Sequence, residues 1–340
     1  MQPLYPLRFR PIFRQYLWGG ERLKTLLHKP APSEGPCAES WEICDHGVDQ
    51  SIVEFGPLAG TTLGQLVHER GRDLLGRHHP QPQFPLLVKL LDAAQSLSVQ
   101  VHPDDALAAT LTPPDLGKTE AWVVLASEPG SVIYAGLKPG VDHNALEAAI
   151  RQGHCETCLH VIHPKPGNCV FVPAGTVHAL GAGLLIAEIQ QSSDVTYRLF
   201  DWNRKGPDGQ PRPLHIDRGL DATDFDRGPI AIQPPRPTNR PEAARLVECE
   251  KFWLDRLTFS NPISIGGDGR CHILVVLKEK CKSKGTPPKR RYPVEEPRCS
   301  RLIWQAYNSR RPQRKNGWCC WRLICHNLVP CPHKRGHGKQ

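Results

Sequence analysis

The amino-acid sequence predicts a mainly β protein in which short strands form a sandwich or small barrel with helices around it. Three observations support this class. Short apolar runs recur through residues 1–277, each bounded by Pro, Gly or polar clusters. Several runs alternate between polar and apolar residues, which is the period of a strand with one buried face. Helical spacing is clear in few segments, so we expect helices at the periphery.

The predicted strands follow one another along the middle of the chain. They are Phe84 to Leu91, Leu97 to His102, Ala121 to Leu125, Cys169 to Val172, Leu184 to Gln190 and Val195 to Trp202. Apolar residues recur every three or four positions at Thr62 to Leu75 and at Asp142 to Arg151, which predicts two helices. We expect the strands to enclose an interior that can hold a ligand.

Length and proline content divide the chain into three parts. Its 340 residues exceed one typical domain. The stretch GPIAIQPPRPTNRP at 228–241 carries five prolines and is typical of a linker. We therefore predict a catalytic β-domain over 1–235 and the start of a second, incomplete β-domain over 236–277. Strand-like runs at Phe252 to Phe259 and His272 to Leu277 belong to the second domain.

Charge is distributed very unevenly between the body and the C-terminal end. The net charge is +9, but residues 278–340 alone hold 17 basic and 3 acidic residues. This tail is rich in Cys and Arg and follows neither the strand nor the helix period, so we predict an irregular, disordered segment or the product of a shifted reading frame. Its charge supports only nonspecific nucleic-acid binding.

Several features predict a cytoplasmic protein without a membrane span. The N-terminal MQPLYPLRFR has no apolar core or cleavage site of a signal peptide, and the longer apolar runs are interrupted by polar groups. Thirteen cysteines, an odd number, favour reduced thiols in the absence of a secretion signal. The sequence leaves the oligomeric state open.

Three separated motifs supply the ligands of a catalytic divalent metal. In an extended chain Gln100 and His102 share one face, and Lys118 and Glu120 also point the same way. His178 follows the turn PAGT. A buried imidazole or amide without a partner costs roughly 1–3 kcal/mol, so we expect a cation to satisfy these groups. Two His, one Glu and one Gln suit Zn²⁺, and also Fe²⁺ or Mn²⁺.

Three longer runs carry a family resemblance. They are FPLLVKLLDAAQSLSVQVHPDD, GKTEAWVVL and VFVPAGTVHALGAGLLIAEIQQSSDVTYRLFDWNR. Together with ESWEI at 39–43 they resemble the type I mannose-6-phosphate isomerases of the short bacterial form, zinc-dependent enzymes of the cupin superfamily. The similarity begins near Pro6 and fades after about Leu277. It implies a cupin-like jelly-roll barrel with peripheral helices.

The resemblance also implies a site and a reaction. It places one zinc ion per chain on four ligands, namely Gln100, His102, Glu120 and His178. It gives the catalytic arginine as Arg198 and makes Lys118 a candidate for substrate contact or proton transfer. The implied reaction interconverts mannose 6-phosphate and fructose 6-phosphate through an enediol, with a proton moved between C1 and C2. The proton-transfer base is left open among Lys118, water on the metal and other groups.

The phosphate of a hexose phosphate needs a cationic pocket of its own. Arg204 lies six residues after Arg198, so on a continuing strand both would share a face. We predict that Arg204 or Lys89 binds the phosphate through charge-assisted hydrogen bonds. Glu188 stays outside the predicted site, as a neighbour of the ligands or a paired buried acid. The alternative function is a catalytically impaired cupin that binds metal or sugar phosphate.

Overall fold

The computed structural model describes residues 4–206, 209–260, 263–280, 302–304 and 317–325. The helices in these ranges are α1 Arg22–Thr25, α2 Leu63–Leu75, α3 Asp105–Ala108, α4 His143–Arg151 and α5 Ile216–Asp221, with a 3₁₀ turn at Cys155–Cys158. Both predicted helices are confirmed, as α2 and α4. Thr62 caps α2 because its hydroxyl accepts the Gln65 N–H while the Gln65 side chain accepts the Thr62 N–H. None of these described helices is long and apolar enough to cross a bilayer.

Two antiparallel sheets build the first part of the chain. The six-stranded sheet runs in the spatial order β12 Cys169–Val172, β9 Glu120–Ser127, β14 Leu184–Gln191, β7 Leu86–Ala93, β3 Glu39–Ile43 and β2 Ile12–Arg14. The five-stranded sheet runs in the order β11 Leu159–Ile162, β10 Ile133–Leu137, β13 His178–Leu180, β8 Val99–Val101 and β15 Tyr197–Phe200. Two small pairs flank them, β1 Phe9–Arg10 with β6 Ile52–Val53 and β4 Asp45–His46 with β5 Asp49–Gln50.

All six strands predicted in this part are present, but two are shorter than expected. The predicted strand at Leu97 to His102 contains only β8, which ends just before His102 and Pro103. The predicted strand at Val195 to Trp202 contains only β15. Trp202 has a φ of 57°, and this left-handed conformation breaks the extended chain after Phe200.

The two sheets pack face to face across an apolar core. Leu91, Trp122 and Ile186 of the six-stranded sheet meet Ile133 and Leu180 of the five-stranded sheet. The described strands form a sandwich that does not close by hydrogen bonds into one barrel. The mainly β, cupin-like class is confirmed in this form.

The opposite face of the six-stranded sheet is also covered. Residues that alternate with those of the first core, such as Val88 and Ala187, pack with Leu66 of α2. The same core includes Phe252 and Ile273 of another six-stranded sheet, which is built from residues after 235 and is called the second sheet below. Its spatial order is β16 Arg236–Pro237, β17 Ala243–Glu248, β18 Phe252–Phe259, β21 Gly317–Cys325, β19 His272–Lys280 and β20 Leu302–Trp304. The sheet that contains β14 is therefore a central layer with packed side chains on both faces, and it is called the central sheet below.

The second sheet reaches into the predicted tail. Both strands predicted between 252 and 277 are present, as β18 and β19, and β21 pairs with each of them. Most of 278–340 lies outside the described residues, including Cys281, Cys299 and Cys331. The boundaries at 235 and 277 and the origin of the tail stay predictions.

Candidate active site

A row of polar side chains crosses the central sheet on its inner face. Glu188 of β14 is paired in register with Lys89 of β7 on one side and with Trp122 of β9 on the other. Two residues further along the same strands, Gln190 is paired with Glu120. Because side chains alternate along a strand, all of these point between the two sheets while their neighbours enter the other core.

A second row faces it from the five-stranded sheet. On adjacent strands, His178 is paired with Gln100, which in turn is paired with Arg198. Val99 and Val101, which flank Gln100 in β8, are buried on the opposite face. The alternation predicted for this strand is therefore confirmed, and it places the predicted ligands at one end of the space between the sheets.

The side chains of His102, Glu120 and His178 converge on one point. One ligand atom from each residue lies within 4.8 Å of those of the others. The His178 Nε2 atom is 3.3 Å from Glu120 Oε1, and the His102 Nε2 atom is 3.6 Å from Glu120 Oε2. The Gln100 amide nitrogen lies 3.2 Å from His178 Nε2. Since amide oxygen and nitrogen exchange places by a half-turn, either can face the centre.

The backbone orients both imidazoles toward this point. His102 Nδ1 lies 2.9 Å from the Val195 carbonyl oxygen, and His178 Nδ1 lies 2.8 Å from that of Thr176. A carbonyl oxygen only accepts, so each Nδ1 carries the hydrogen and each Nε2 presents a lone pair toward the centre. Burial, with Lys118 nearby, lowers the pKa of His178 to about 4 and that of His102 well below its usual range. Both rings are therefore neutral near pH 7, as metal ligation requires.

The hydrogen bonds of the centre are incomplete without a cation. Both carboxylate oxygens of Glu120 and the Nε2 atom of His102 are buried and have no hydrogen-bond partner. Burial and the charge of Glu188 raise the pKa of Glu120 to about 8, although Lys118 at 3.6 Å acts in the opposite direction. A divalent ion would partner all three atoms and keep the carboxylate ionised. The neutral imidazoles, carboxylate and amide fit such an ion.

A cavity of about 350 Å³ lies beside these ligands. Its charged lining consists of four cationic side chains, Lys89, Lys118, Arg198 and Arg212, and three acidic ones, Glu39, Glu188 and Asp194, and Gln100 lines it as well. A cavity of this size falls within the range of small-molecule sites, and its cations suit a ligand with negative charge. The structure thus brings seven of the eight predicted site residues to one centre and its cavity.

The eighth, Arg204, is not brought to the cavity. Its guanidinium binds the Asp201 carboxylate at 2.5 Å and the Ser96 carbonyl at 2.6 Å. The prediction assumed a strand that continues from Arg198 to Arg204, but the positive φ of Trp202 ends it. Arg212, which the sequence did not single out, lines the cavity in its place. No sequence signal marks Arg212, because it reaches the cavity from an irregular segment.

Lys89 lines the cavity between two acidic side chains. Its ammonium is 3.6 Å from Glu188 and 3.9 Å from Glu39, and it lies 4.8 Å from the centre of the Trp41 ring. Burial opposes its charge, but Glu39 and Glu188 outweigh burial and raise the pKa of Lys89. This lysine is therefore charged and already largely compensated.

Glu188 is a site residue that the sequence analysis left out. It lines the cavity and accepts a 3.0 Å hydrogen bond from the Trp122 indole. Burial alone would raise the pKa of Glu188, but Lys89 and Lys118 lower it below its usual range. The available signal was its position two residues before Gln190, between the apolar Ala187 and Ile189, because a buried carboxylate on an inner strand face needs partners.

The fold and the site together define a β-sandwich protein with a divalent-metal donor set beside a cavity that carries an excess of positive side chains. The family model "phosphomannose isomerase type I, catalytic domain" matches residues 7–119. The mannose-6-phosphate isomerase ManA of Bacillus subtilis is 36% identical over 272 residues, which are 76% of this chain and 81% of that protein. The mannose-6-phosphate isomerase of Streptococcus mutans is 40% identical over 216 residues, 64% of this chain and 67% of that protein.

Solved structures agree with these sequence comparisons. The crystal structure of the mannose 6-phosphate isomerase from Bacillus subtilis superposes with a TM-score of 0.76 at 29% identity, covering 94% of this chain and 99% of that one. A mutant phosphomannose isomerase from Salmonella typhimurium shares the fold, with a TM-score of 0.69 at 15% identity over 96% of this chain and all of that one. The chain belongs to the type I phosphomannose isomerase family.

Proposed function

We propose that this chain interconverts mannose 6-phosphate and fructose 6-phosphate at a zinc centre. One observation carries the proposal: His102, Glu120 and His178 converge, with buried unpartnered donor atoms, beside a cavity lined by four cations. The family membership supports the reaction, because the relatives are named for it. Gln100 would complete the ligand set with its amide.

Zinc suits this donor set, because two neutral imidazoles and one carboxylate are common ligands of catalytic zinc. When bound, the ion would act as a Lewis acid that stabilises negative charge developing on the sugar oxygens. The protein would hold the ion with His102, Glu120, His178 and Gln100, which come from both sheets.

Lys118 is our candidate for contact with the reacting carbons. Its ammonium is buried, lines the cavity and lies 3.6 Å from Glu120. From there it can donate a hydrogen bond to a sugar oxygen and take part in moving the proton between C1 and C2. Glu188, on the cavity wall, balances the positive charge of Lys89 and Lys118.

Arg198 and Arg212 provide the anion-binding part of the cavity. The Arg198 Nε atom is buried without a hydrogen-bond partner, while its Nη1 donates to the Pro213 carbonyl at 2.9 Å. Burial and the charge of Arg212 lower the pKa of Arg198, so an anion beside both would relieve their repulsion. We assign Arg198 to the enediolate oxygens and Arg212 to the phosphate, with Lys89 as a further candidate.

A coupled assay of fructose 6-phosphate formation tests the reaction. We expect turnover of mannose 6-phosphate, its loss after dialysis against a chelator and its return with Zn²⁺, with about one zinc per chain by metal analysis. Arg212→Met is expected to raise KM about tenfold, whereas Arg204→Met serves as its matched control. A zinc-loaded chain that binds the sugar phosphate without turnover would instead be the impaired cupin.

We also propose a cytoplasmic location for this enzyme. Among the described residues, six cysteines are free thiols, namely Cys37, Cys44, Cys155, Cys158, Cys169 and Cys249, and the first five of them are buried, as expected in a reducing compartment. Fractionation of cells that express the full chain tests this, and recovery outside the cytoplasmic fraction would contradict it.

A further inference from the structure

A chain of hydrogen bonds begins beside the second sheet and ends at Thr119 and Ala174, which neighbour the metal ligands in the chain. Lys251 lies in the turn between β17 and β18, and its ammonium is 2.5 Å from Asp105 Oδ2. Asp105 is the first residue of α3 and lies three residues after His102. The pair thus connects the second sheet to the segment that follows the first histidine.

The other carboxylate oxygen of Asp105 continues the chain. Asp105 Oδ1 accepts the Gly117 N–H and the Gln191 side-chain amide, each at 2.8 Å. A Cβ at Gly117 would lie 2.5 Å from the Asp105 backbone nitrogen, so this close approach requires glycine. Burial would raise the pKa of Asp105, but the bonds from Lys251, Gln191 and Gly117 lower it, so the carboxylate stays ionised.

Gln191 passes the connection to Thr119. Its Oε1 accepts the Thr119 N–H at 3.0 Å, and its backbone N–H donates to the Thr119 carbonyl at 3.2 Å. The Thr119 hydroxyl in turn accepts the Ala174 N–H at 3.2 Å. Thr119 stands between Lys118 and Glu120, so its placement sets the direction of both side chains.

The bond from Ala174 reaches the second histidine as well. Ala174 lies in the turn PAGT, whose Thr176 carbonyl orients His178. Neither Asp105 nor Lys251 lines the cavity or contacts a ligand atom of the centre. The network therefore acts on the ligands through the backbone that carries them, where displacements of about 0.5 Å matter for a metal site.

We propose that Asp105 is a positioning residue for the metal centre, and that Lys251 makes the second β-domain part of that positioning. The inference rests on the metal centre proposed above. It predicts that removing one cation from the second sheet changes how firmly the ion is held, although that cation is outside the cavity.

Metal release from the purified full chain tests this. The zinc-loaded wild type, Lys251→Met, Lys251→Arg and Asp105→Asn proteins are mixed with an excess of a chromogenic chelator, and the rate of zinc transfer is measured. We expect release to be about tenfold faster in Lys251→Met and Asp105→Asn, with Lys251→Arg close to the wild type. Arg8→Met is the control, because Arg8 and Glu54 form a comparable 2.5 Å pair away from the site.

Thermal unfolding separates positioning from a structural role. If Lys251→Met melts earlier but releases zinc at the rate of Arg8→Met, the inference is overturned. Should Lys251→Met fail to fold, Gly117→Ala replaces it as the test variant. Its added Cβ pushes against the backbone of Asp105 without a change in the second sheet. A zinc release rate equal to that of the wild type in Gly117→Ala also overturns the inference. A wild type that binds no zinc would show the proposed metal centre itself to be wrong, and the inference with it.

Discussion

The two ends of the space between the sheets are built by the same strands and differ completely in character. On β14, Leu184 and Ile186 enter an apolar core with Leu180 of the facing sheet. Two positions further along the same face, Glu188 and Gln190 enter a buried polar region beside the metal ligands.

The contrast shows how one sandwich supports both stability and chemistry. The apolar end is stabilised by burial alone, which needs no specific partners. The polar end holds ionisable groups that are costly to bury, so each needs a partner, and Glu120 and His102 have donor atoms whose partner would be the ion. Substitutions at the two ends should therefore separate activity from folding.

The largest effect is expected at the polar end, from Glu120→Gln. Loss of the only carboxylate in the ligand set should lower kcat/KM by about 10³-fold, or roughly 4 kcal/mol, and abolish stable zinc binding. Steady-state assays and metal analysis measure both. A Glu147→Gln variant on the exposed face of α4 is the control and should behave as the wild type.

The same variant has a distinct pH dependence in the metal-free protein. Burial and Glu188 raise the folded-state pKa of Glu120 to about 8, above its ordinary 4.5. In the metal-free wild type, the contribution of Glu120 to the free energy of unfolding should therefore be largest below about pH 4.5. It should fall as the pH rises toward 8. Glu120→Gln should lack this loss in urea denaturation; an identical pH profile in both proteins would contradict the assignment.

At the apolar end, Ile186→Ala should affect folding and spare the reaction. Removing three buried carbons from the core between the sheets is expected to lower the free energy of unfolding by about 3 kcal/mol. Urea denaturation measures it, with Val48→Ala as an exposed control. A tenfold loss of kcat in the fully folded variant would show that the two ends are not separable.

Arg198→Lys tests the role of Arg198 in turnover, and its expected effect is smaller than that of Glu120→Gln. Lysine keeps the charge but lacks the planar fork, so kcat is expected to fall about 10²-fold while zinc content stays unchanged. Single-turnover kinetics and metal analysis check this, with Arg151→Lys as a surface control. Wild-type turnover in Arg198→Lys would remove this arginine from the reaction.

The smallest effect concerns Asp201, which forms ion pairs with Arg204 and with Arg212, the latter a residue of the cavity lining. Burial would raise the pKa of Asp201, but hydrogen bonds from Arg212 and Arg204 lower it below its ordinary 3.8. Its stabilising contribution is thus present above that pH and lost as the pH falls further. Asp201→Asn should melt about 2–4 °C earlier at pH 7, with the difference shrinking in acid; a constant difference would exclude an ionic origin.

Much of this site could be predicted from the sequence because its signals are local. Alternation places Gln100 on the face opposite Val99 and Val101, and the turn before His178 is encoded by Pro and Gly within the same motif. The family motifs add which of these side chains act together. Where the expectation depended on a strand continuing past Trp202, as for Arg204, it failed because a positive φ is not encoded by spacing.

The sequence by itself determined the strand period, the two longer helices and the shared faces of Gln100 with His102 and of Lys118 with Glu120. Only the tertiary structure decided that Glu188 and Arg212 share the cavity, and that Lys251 is connected to Asp105. The physical reason is that these contacts join residues far apart in the chain, and their partners are set by which strands become neighbours in a sheet and which sheets face each other.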